Sequence, residues 1–190
     1  QELLRDSEPP VLIVTESVFS MDGDRGPLQK LCDVASEAGA WVYVDEAHAY
    51  GHLGPAGRGL SSMPQVGDRV DVRMGTLGKA LGCYGAFVAG GEELAEYLVS
   101  RARTFLYSTA LPPGIVDAAR EALKIVAGPR GDALRARLAS NIRTLRLGLM
   151  EQGWELMDVP GPILPVMVGD ASRAVTLSEK LLDRGLLVRA

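Results

Sequence analysis

The chain has 190 residues, 47% of them hydrophobic and 23% charged, a balance typical of a globular protein. Its formal net charge is −4 and it carries no dense block of Lys and Arg, which argues against a nucleic-acid partner. No apolar run reaches the roughly 18 residues that a membrane-spanning helix needs, and no signal-peptide pattern opens the sequence. The two cysteines, Cys32 and Cys83, match neither zinc nor redox spacing, and such low cysteine usage is typical of the cytoplasm.

The two ends of the sequence predict a fragment of a longer protein. Gln1 is not an initiator methionine, and Ala190 closely follows the apolar run at residues 186–188. A strand that ends a chain without a cap suggests that more sequence follows. We therefore expect parts of the protein to lie outside these residues.

A strand–helix–strand unit is predicted at the start of the chain. The continuous apolar run at residues 11–14 predicts a strand buried on both faces. After a Gly/Asp-rich loop, Pro27 suits the first turn of a helix, and Gly39 is a suitable C-cap for it. Residues 41–44 predict a second buried strand, so the two strands should be parallel.

Two further strands are predicted around a glycine-punctuated turn. A glycine-rich loop at residues 51–59 precedes a third strand at 70–74, and the turn at 75–82 leads into a fourth strand at 85–89. A parallel crossover needs roughly a dozen or more residues, and the connection is shorter, so we predict an antiparallel pair. The fold class is therefore α/β, with a mostly parallel sheet that contains one reversed strand.

The rest of the chain predicts helices and a second domain. Apolar residues recur at helical spacing in residues 92–103, 112–126, 133–152 and 172–184. Residues 128–131 interrupt this pattern, and we place a domain boundary there, between a large domain at 1–127 and a small one at 128–190. The apolar segment at 162–168 and a strand at 186–188 would begin a smaller α/β unit with the last helix.

Five polar residues lie just beyond the carboxyl ends of the first three strands. They are Ser20 after the first strand, Asp45 and His48 after the second, and Thr76 and Lys79 after the third. Ligands of open α/β sheets bind in the crevice outside the carboxyl ends of the strands. All five side chains could therefore converge on one site.

Asp45 and Lys79 each allow a structural and a functional interpretation. Asp45 could cap the turn after its strand, or it could pair with a ring nitrogen and keep it protonated, as pyridoxal chemistry requires. Lys79 could be a solvated surface lysine, but its flanking glycines let the backbone approach a ligand closely. A lysine in a partly dry pocket can bond covalently to a carbonyl group.

The two histidines are interpreted differently. His48 lies three residues after Asp45, where it could be a structural hydrogen-bonding group or could donate to a ligand oxygen. His52 lies within the glycine-rich loop and is interpreted as structural.

Residues 45–48 spell Asp-Glu-Ala-His, the DEAH box of ATP-dependent helicases. That function requires a phosphate-binding loop of the form G-x-x-x-x-G-K-[ST]. The earlier glycine position is occupied by Arg73, and the residue after Lys79 is Ala80. An ATP-binding module is therefore a distant alternative, and no metal site is predicted.

Four ordered motifs resemble those of one enzyme family. They are VTESVFSMDGD at 14–24, VDEAH at 44–48, GTLGKALG at 75–82 and YSTALPP at 107–113. On these motifs the chain resembles the α-oxoamine synthases, pyridoxal 5′-phosphate (PLP) enzymes of fold type I. These condense an amino acid with an acyl thioester and release CO₂. The resemblance spans roughly residues 9–190 and covers the central and C-terminal portion of the family's chain.

The residues of the last two motifs are most similar to those of the 8-amino-7-oxononanoate synthase subfamily of biotin biosynthesis. Glycine C-acetyltransferase is the next most similar member of the family. The resemblance implies that L-alanine reacts with a pimeloyl thioester, carried by coenzyme A or by an acyl carrier protein. A third hypothesis is a non-catalytic partner subunit. Such a subunit would be expected to have lost the cofactor lysine, and Lys79 is present.

The resemblance also implies a role for each matching residue near the sheet. Lys79 would hold PLP covalently and later move the α-proton of the substrate, and Asp45 would pair with the pyridinium nitrogen. Ser20 and His48 would hydrogen-bond the phenolic oxygen of the ring, and Thr76 would contact the phosphate.

Two further residues imply a dimer, and three family features are missing. Ser108 and Thr109 match positions that reach the phosphate in the partner subunit's site, so a homodimer with shared active sites is implied. In the family pattern, the phosphate turn and the ring-stacking histidine precede Gln1, and the arginine that binds the substrate carboxylate follows Ala190. These 190 residues alone should therefore be inactive or nearly so.

Overall fold

The structure is a computed structural model that describes residues 10–159 and 161–190. Gln1 and the start of the predicted large domain lie outside the described residues. The described strands are β1 Leu12–Glu16, β2 Trp41–Asp45, β3 Val72–Thr76 and β4 Ala86–Gly90. The described helices are α1 Leu28–Ala38, α2 Glu92–Arg101, α3 Arg103–Leu106, α4 Pro113–Ala127, α5 Pro129–Glu151 and α6 Ala171–Leu182.

The four strands form one sheet in the order β1-β2-β3-β4. β1, β2 and β3 are parallel, and β4 pairs antiparallel with β3. The predicted mostly parallel sheet with one reversed strand is therefore confirmed. Because the first three strands run the same way, their last residues, Glu16, Asp45 and Thr76, lie at one edge of the sheet.

Helix α1 covers one face of the sheet. Its buried residues Leu28, Cys32 and Ala35 follow helical spacing and belong to the same apolar cluster as Val42 and Val44 of β2. The helix ends where predicted, because Gly39 adopts the left-handed conformation (φ 64°, ψ 29°) that a residue without a Cβ tolerates best.

The prediction that the first two strands are buried on both faces is wrong for the described residues. Leu12 is 48% exposed, Val14 64% and Trp41 57%, whereas Val42 and Val44 are buried. Side chains alternate between the faces of a strand. Helix α1 covers only the face that carries the two buried valines.

The predicted helix at 92–103 is interrupted. Ala102 has an extended backbone (φ −71°, ψ 102°) and separates α2 from α3. Nothing in the local residue types explains this break.

The helix predicted at 133–152 begins four residues earlier, because Pro129 occupies the first helical turn, where its missing N–H costs nothing. Only Gly128 therefore separates α4 from α5. The domain division near Gly128 remains a prediction.

The strand predicted at 186–188 is also wrong. Leu186 N donates to Leu181 O at 2.9 Å, and Val188 O accepts from Ser178 Oγ, so the segment folds back on α6. A strand needs a neighbouring ladder, and among the described residues none pairs with this segment. The apolar segment at 162–168 forms a single bridge, between Leu156 and Val166.

Membrane-spanning helices and metal clusters are both absent from residues 10–159 and 161–190. None of the helices there combines the length and hydropathy that crossing a membrane requires. No group of three or more His, Cys, Asp or Glu side chains in the same ranges is arranged to hold a metal ion.

Candidate active site

The loop between β3 and β4 presents Lys79 near the carboxyl edge of the sheet. Two backbone hydrogen bonds close the base of this loop, from Leu77 N to Gly85 O at 2.9 Å and from Cys83 N to Leu77 O at 2.7 Å. Leu77 and Leu81 are buried in an apolar cluster with residues of α4. Lys79 lies between these two anchors in the chain and is itself exposed.

His48 meets Lys79 directly. It lies in the turn after β2, and its Nε2 is 2.6 Å from Lys79 Nζ. Burial lowers the pKa of His48 and the charge of Lys79 lowers it further, while Glu16 and Asp45 act in the opposite direction. A neutral imidazole is therefore favoured, and its Nε2 can accept from an ammonium group, which has only donors.

Asp45 ends β2 and caps the turn that follows. Its Oδ1 accepts a hydrogen bond from Ala47 N at 2.7 Å, as the structural interpretation predicts. The other carboxylate oxygen has no hydrogen-bond partner among the described residues. The charge of Asp45 also acts to raise the pKa of His48. The cap therefore leaves one oxygen free for a ligand.

Thr76 ends β3 and stabilises the lysine loop. Its hydroxyl donates to Gly85 O at 3.3 Å and accepts from Gly78 N at 3.2 Å. This hydroxyl therefore helps to hold the turn that carries Lys79, in addition to any contact with a ligand.

Three predicted site residues make no hydrogen bond with Lys79 or His48 among the described residues. Ser20 is exposed in the loop after β1, and its hydroxyl makes no hydrogen bond within the described residues. Ser108 donates to Phe105 O at 3.3 Å, at the end of α3, and Thr109 is exposed beside it. The described chain thus brings Lys79 and His48 into contact, whereas these three residues are exposed.

A pocket of about 240 Å³ lies beside the Lys79–His48 pair. Most of its lining is apolar, and it reaches from the turn after β2 to α5 and the segment that follows. Its lining residues are Ala47, His48, Tyr50, His52, Lys79, Ala80, Leu138, Pro162 and Ile163. A low-polarity wall on one side of the amine strengthens electrostatic interactions there.

His52 is half-buried in the wall of this pocket, and its Nε2 is buried without a hydrogen-bond partner among the described residues. Burial lowers its pKa from 6.5, while a hydrogen bond with the Tyr50 backbone acts in the opposite direction. These features fit the structural interpretation of His52.

His52→Leu in the full-length protein should therefore flatten the pH dependence of stability. Because the folded-state pKa lies below 6.5, the unfolded state takes up the proton first as the pH falls. The parent protein should lose stability below pH 6.5, by up to about 1.4 kcal/mol per pH unit for one extra proton. Urea unfolding between about pH 7.5 and 5 measures both proteins, and parallel curves would contradict this prediction.

Glu46 is a residue that the sequence interpretation missed. It is only 2% exposed, and its carboxylate accepts hydrogen bonds from Ser17 Oγ, Leu60 N and Ser61 N. A signal was available, because Val42, Val44 and Glu46 occupy alternate positions and should face the same side of the sheet.

The glycine-rich stretch packs closely against two other parts of the chain. A Cβ on Gly51 would lie 2.7 Å from the Cβ of Ala80, the residue after Lys79, and a Cβ on Gly59 would lie 2.6 Å from the Glu46 carboxylate. Both glycines also have positive φ angles, 94° and 89°. The loop therefore packs closely against the lysine loop at one point and against Glu46 at another.

Comparison with known proteins identifies the family. A model described as aminotransferase class I and II matches residues 1–190. The chain belongs to this family. Among curated relatives, it is 50% identical over 179 residues to an 8-amino-7-oxononanoate synthase of Anaeromyxobacter dehalogenans, covering 94% of this chain and 45% of the relative. It is 46% identical to the enzyme of that name from Geobacter sulfurreducens, covering 94% of this chain and 46% of the relative.

Solved structures agree with the sequence relatives. A serine palmitoyltransferase from Sphingomonas wittichii superposes with a TM-score of 0.91 at 33% identity, covering 99% of this chain and 48% of that one. An 8-amino-7-oxononanoate synthase from Francisella tularensis superposes with a TM-score of 0.80 at 33% identity, covering 98% and 55%. These matches confirm the resemblance to the α-oxoamine synthases and the predicted fold type I. The chain spans about half the length of the proteins that it matches.

Proposed function

We propose that the full-length protein is a PLP-dependent acyltransferase of the cytoplasm. It would condense L-alanine with a pimeloyl thioester, on coenzyme A or an acyl carrier protein, and release CO₂ to give 8-amino-7-oxononanoate for biotin synthesis. One observation carries this proposal: Lys79 Nζ and His48 Nε2 lie 2.6 Å apart, in the turns that follow the carboxyl ends of β3 and β2. The 50% identity to an 8-amino-7-oxononanoate synthase supports the choice of reaction.

The groups at this edge fit PLP. Lys79 offers a primary amine, His48 a neutral imidazole, and Asp45 a carboxylate oxygen with no protein partner among the described residues. When bound, PLP supplies an electron sink for negative charge at the substrate α-carbon. One structural neighbour, a high-resolution serine palmitoyltransferase, carries PLP.

Lys79 and Asp45 would perform the central steps. Lys79 would hold the cofactor covalently, remove the proton from the α-carbon of the amino acid and return a proton to that carbon after CO₂ leaves. His48, already in contact with the amine, would orient it. The free oxygen of Asp45 would keep the ring nitrogen protonated by a charge-assisted hydrogen bond.

The remaining cofactor contacts fit less directly. Ser20, with an unpaired hydroxyl among the described residues, would join His48 at the phenolic oxygen. Thr76 would donate its hydroxyl to the phosphate only by releasing the hydrogen bond to Gly85 O, because a hydroxyl has a single hydrogen to donate.

A homodimer would explain the exposed hydroxyls after α3. Ser108 and Thr109 would reach the phosphate site of the partner subunit. Next to them Phe105 is 63% exposed and Tyr107 81%, and exposed aromatic side chains are typical of interfaces. The residues on this side of the chain therefore support the assembly that the family resemblance implies.

Other α-oxoamine synthases are the second candidate, because the fold does not separate them. The serine palmitoyltransferase structure superposes with the higher TM-score, 0.91 against 0.80, at the same 33% identity. Glycine C-acetyltransferase differs in amino acid and acyl chain. Sequence identity to curated relatives, rather than fold, favours the 8-amino-7-oxononanoate reaction.

A substrate panel tests the proposed function. Full-length protein loaded with PLP would be given L-alanine, glycine or L-serine, each with pimeloyl, acetyl or palmitoyl thioesters, and CO₂ and free thiol would be measured. We expect the highest kcat/KM for L-alanine with the pimeloyl thioester. A preference for glycine with the acetyl thioester, or for serine with the palmitoyl thioester, would assign the protein to another branch of the family. No turnover with any pair, in protein that holds PLP, would contradict the proposal.

A further inference from the structure

Glu46 connects the three parallel strands beneath the candidate site. Its backbone N donates to Met74 O of β3 at 2.8 Å, and its side-chain Oε2 accepts from Ser17 Oγ, just after β1, at 2.6 Å. Ser17 is held a second time, because its backbone N donates to Asp45 O at 2.9 Å. The ends of β1, β2 and β3 are thus fixed together within one residue of Asp45.

The same carboxylate anchors the glycine-rich loop. Its Oε2 accepts from Leu60 N at 3.1 Å and its Oε1 accepts from Ser61 N at 2.5 Å. Gly59 leaves no room for a side chain beside these oxygens. The loop therefore contacts the Glu46 carboxylate through the backbone N–H groups of Leu60 and Ser61.

The turn that carries His48 begins at Glu46. The Glu46 carbonyl oxygen accepts from Ala49 N at 2.9 Å and from Tyr50 N at 2.8 Å, so the turn closes on the backbone of Glu46. The Glu46 side chain is buried, and its carboxylate contacts Leu60 of the core cluster that contains Val42 and Val44. Glu46 is not among the residues that line the pocket beside Lys79.

We infer that Glu46 is a positioning residue for the reaction proposed above. Its carboxylate fixes Asp45 and the His48 turn by joining the end of β1 to the glycine-rich loop. This inference rests on the proposed function, because it concerns the same site. Among the described residues Glu46 makes no hydrogen bond with the side chain of Lys79 or His48, so it would act through its neighbours.

Glu46→Gln is the sharpest test, because the amide keeps the shape of the side chain. A carboxylate only accepts hydrogen bonds, whereas an amide presents a donating NH₂ on one side. In either orientation that NH₂ faces a backbone N–H, of Leu60 or of Ser61, and one of these contacts is lost. Ser17 can adapt, because its hydroxyl both donates and accepts. The glycine-rich loop should therefore loosen while the strand contacts largely remain.

The experiment compares full-length parent protein, Glu46→Gln and a control, Val42→Ala. The control removes buried apolar volume from the same strand without touching the hydrogen bonds of Glu46. For Glu46→Gln we expect kcat per mole of bound PLP to fall roughly ten- to a hundredfold, since small displacements of catalytic groups have effects of this size. Amide hydrogen exchange at Leu60 and Ser61, measured without cofactor, should accelerate, and the PLP dissociation constant should rise. The control should keep the parent kcat per bound PLP.

Each outcome decides the inference. Unchanged kcat per bound PLP in Glu46→Gln, with stability lowered as in Val42→Ala, would show that Glu46 is only structural. If Glu46→Gln does not fold, Ser17→Ala replaces it, and loss of that one hydrogen bond should lower kcat roughly two- to tenfold. Parent kcat in Ser17→Ala would then overturn the inference. A parent protein that binds no PLP would overturn the proposed function, and this inference would fail with it. Parental kcat in the variant, in protein that binds PLP, would overturn this inference alone.

Discussion

Lys79→Ala in the full-length protein is expected to lower turnover by roughly 10²–10⁴-fold or more, the size of general acid–base effects. The substitution removes the only group proposed both to hold PLP covalently and to move the α-proton. PLP should still bind, because Asp45, His48 and Ser20 remain. The measurement is kcat with L-alanine and the pimeloyl thioester, together with the PLP content of the purified protein.

A matched control is available in Lys124→Ala. Lys124 is exposed on α4, forms a surface ion pair with Glu121 at 2.7 Å and has no role in the proposed chemistry. Surface changes of this kind usually alter stability by no more than about 0.5 kcal/mol. Lys124→Ala should keep parental turnover. If Lys79→Ala also keeps it, Lys79 is a surface lysine beside a tight turn and the site assignment fails.

Asp45→Asn is expected to lower turnover by about ten- to a hundredfold or more. A hydrogen bond to a charged group contributes roughly 1.5–3 kcal/mol, and each 1.36 kcal/mol is about a factor of ten in rate. The amide can still accept from Ala47 N, so the cap of the turn survives while the negative charge is lost. Stability should therefore change little while the rate falls.

The comparison with Asp45→Ala separates the two roles of this residue. Alanine removes both the cap and the charge, so it should lower stability by about 1 kcal/mol as well as the rate. If Asp45→Asn turns over like the parent and Asp45→Ala is only less stable, Asp45 is a cap and nothing more. Thermal unfolding and steady-state kinetics on the same preparations make this distinction.

The sequence predicted the sheet well because its signals are local. The apolar runs of β1 and β2, the helix between them and the short connection from β3 to β4 determine strand direction. The location of the candidate site was predicted from the same pattern, because the parallel strands place Asp45 and Thr76 at one edge of the sheet. Residue spacing could not give the distance between Lys79 Nζ and His48 Nε2. The pattern did predict that both residues follow the carboxyl ends of neighbouring strands.

The failures concern features that depend on distant parts of the chain. Residues 186–188 have the composition of a strand, but no neighbouring segment pairs with them in the part of the chain described. The exposed side chains of Leu12 and Val14 show that an apolar run does not reveal which of its faces is covered. The alternation of Val42, Val44 and Glu46 predicts that Glu46 faces the core, but its three hydrogen-bond donors come from residues 17, 60 and 61, which no local pattern brings together.

Covalent labelling of the cofactor tests the central claim most directly. Borohydride reduces the bond between PLP and its lysine and makes the attachment permanent. Full-length protein loaded with PLP would be reduced and digested, and the labelled peptide identified by mass spectrometry. We expect the label on Lys79 and its loss in Lys79→Ala. A label on Lys30, Lys124 or Lys180, or a protein that carries no label, would contradict the assignment of Lys79.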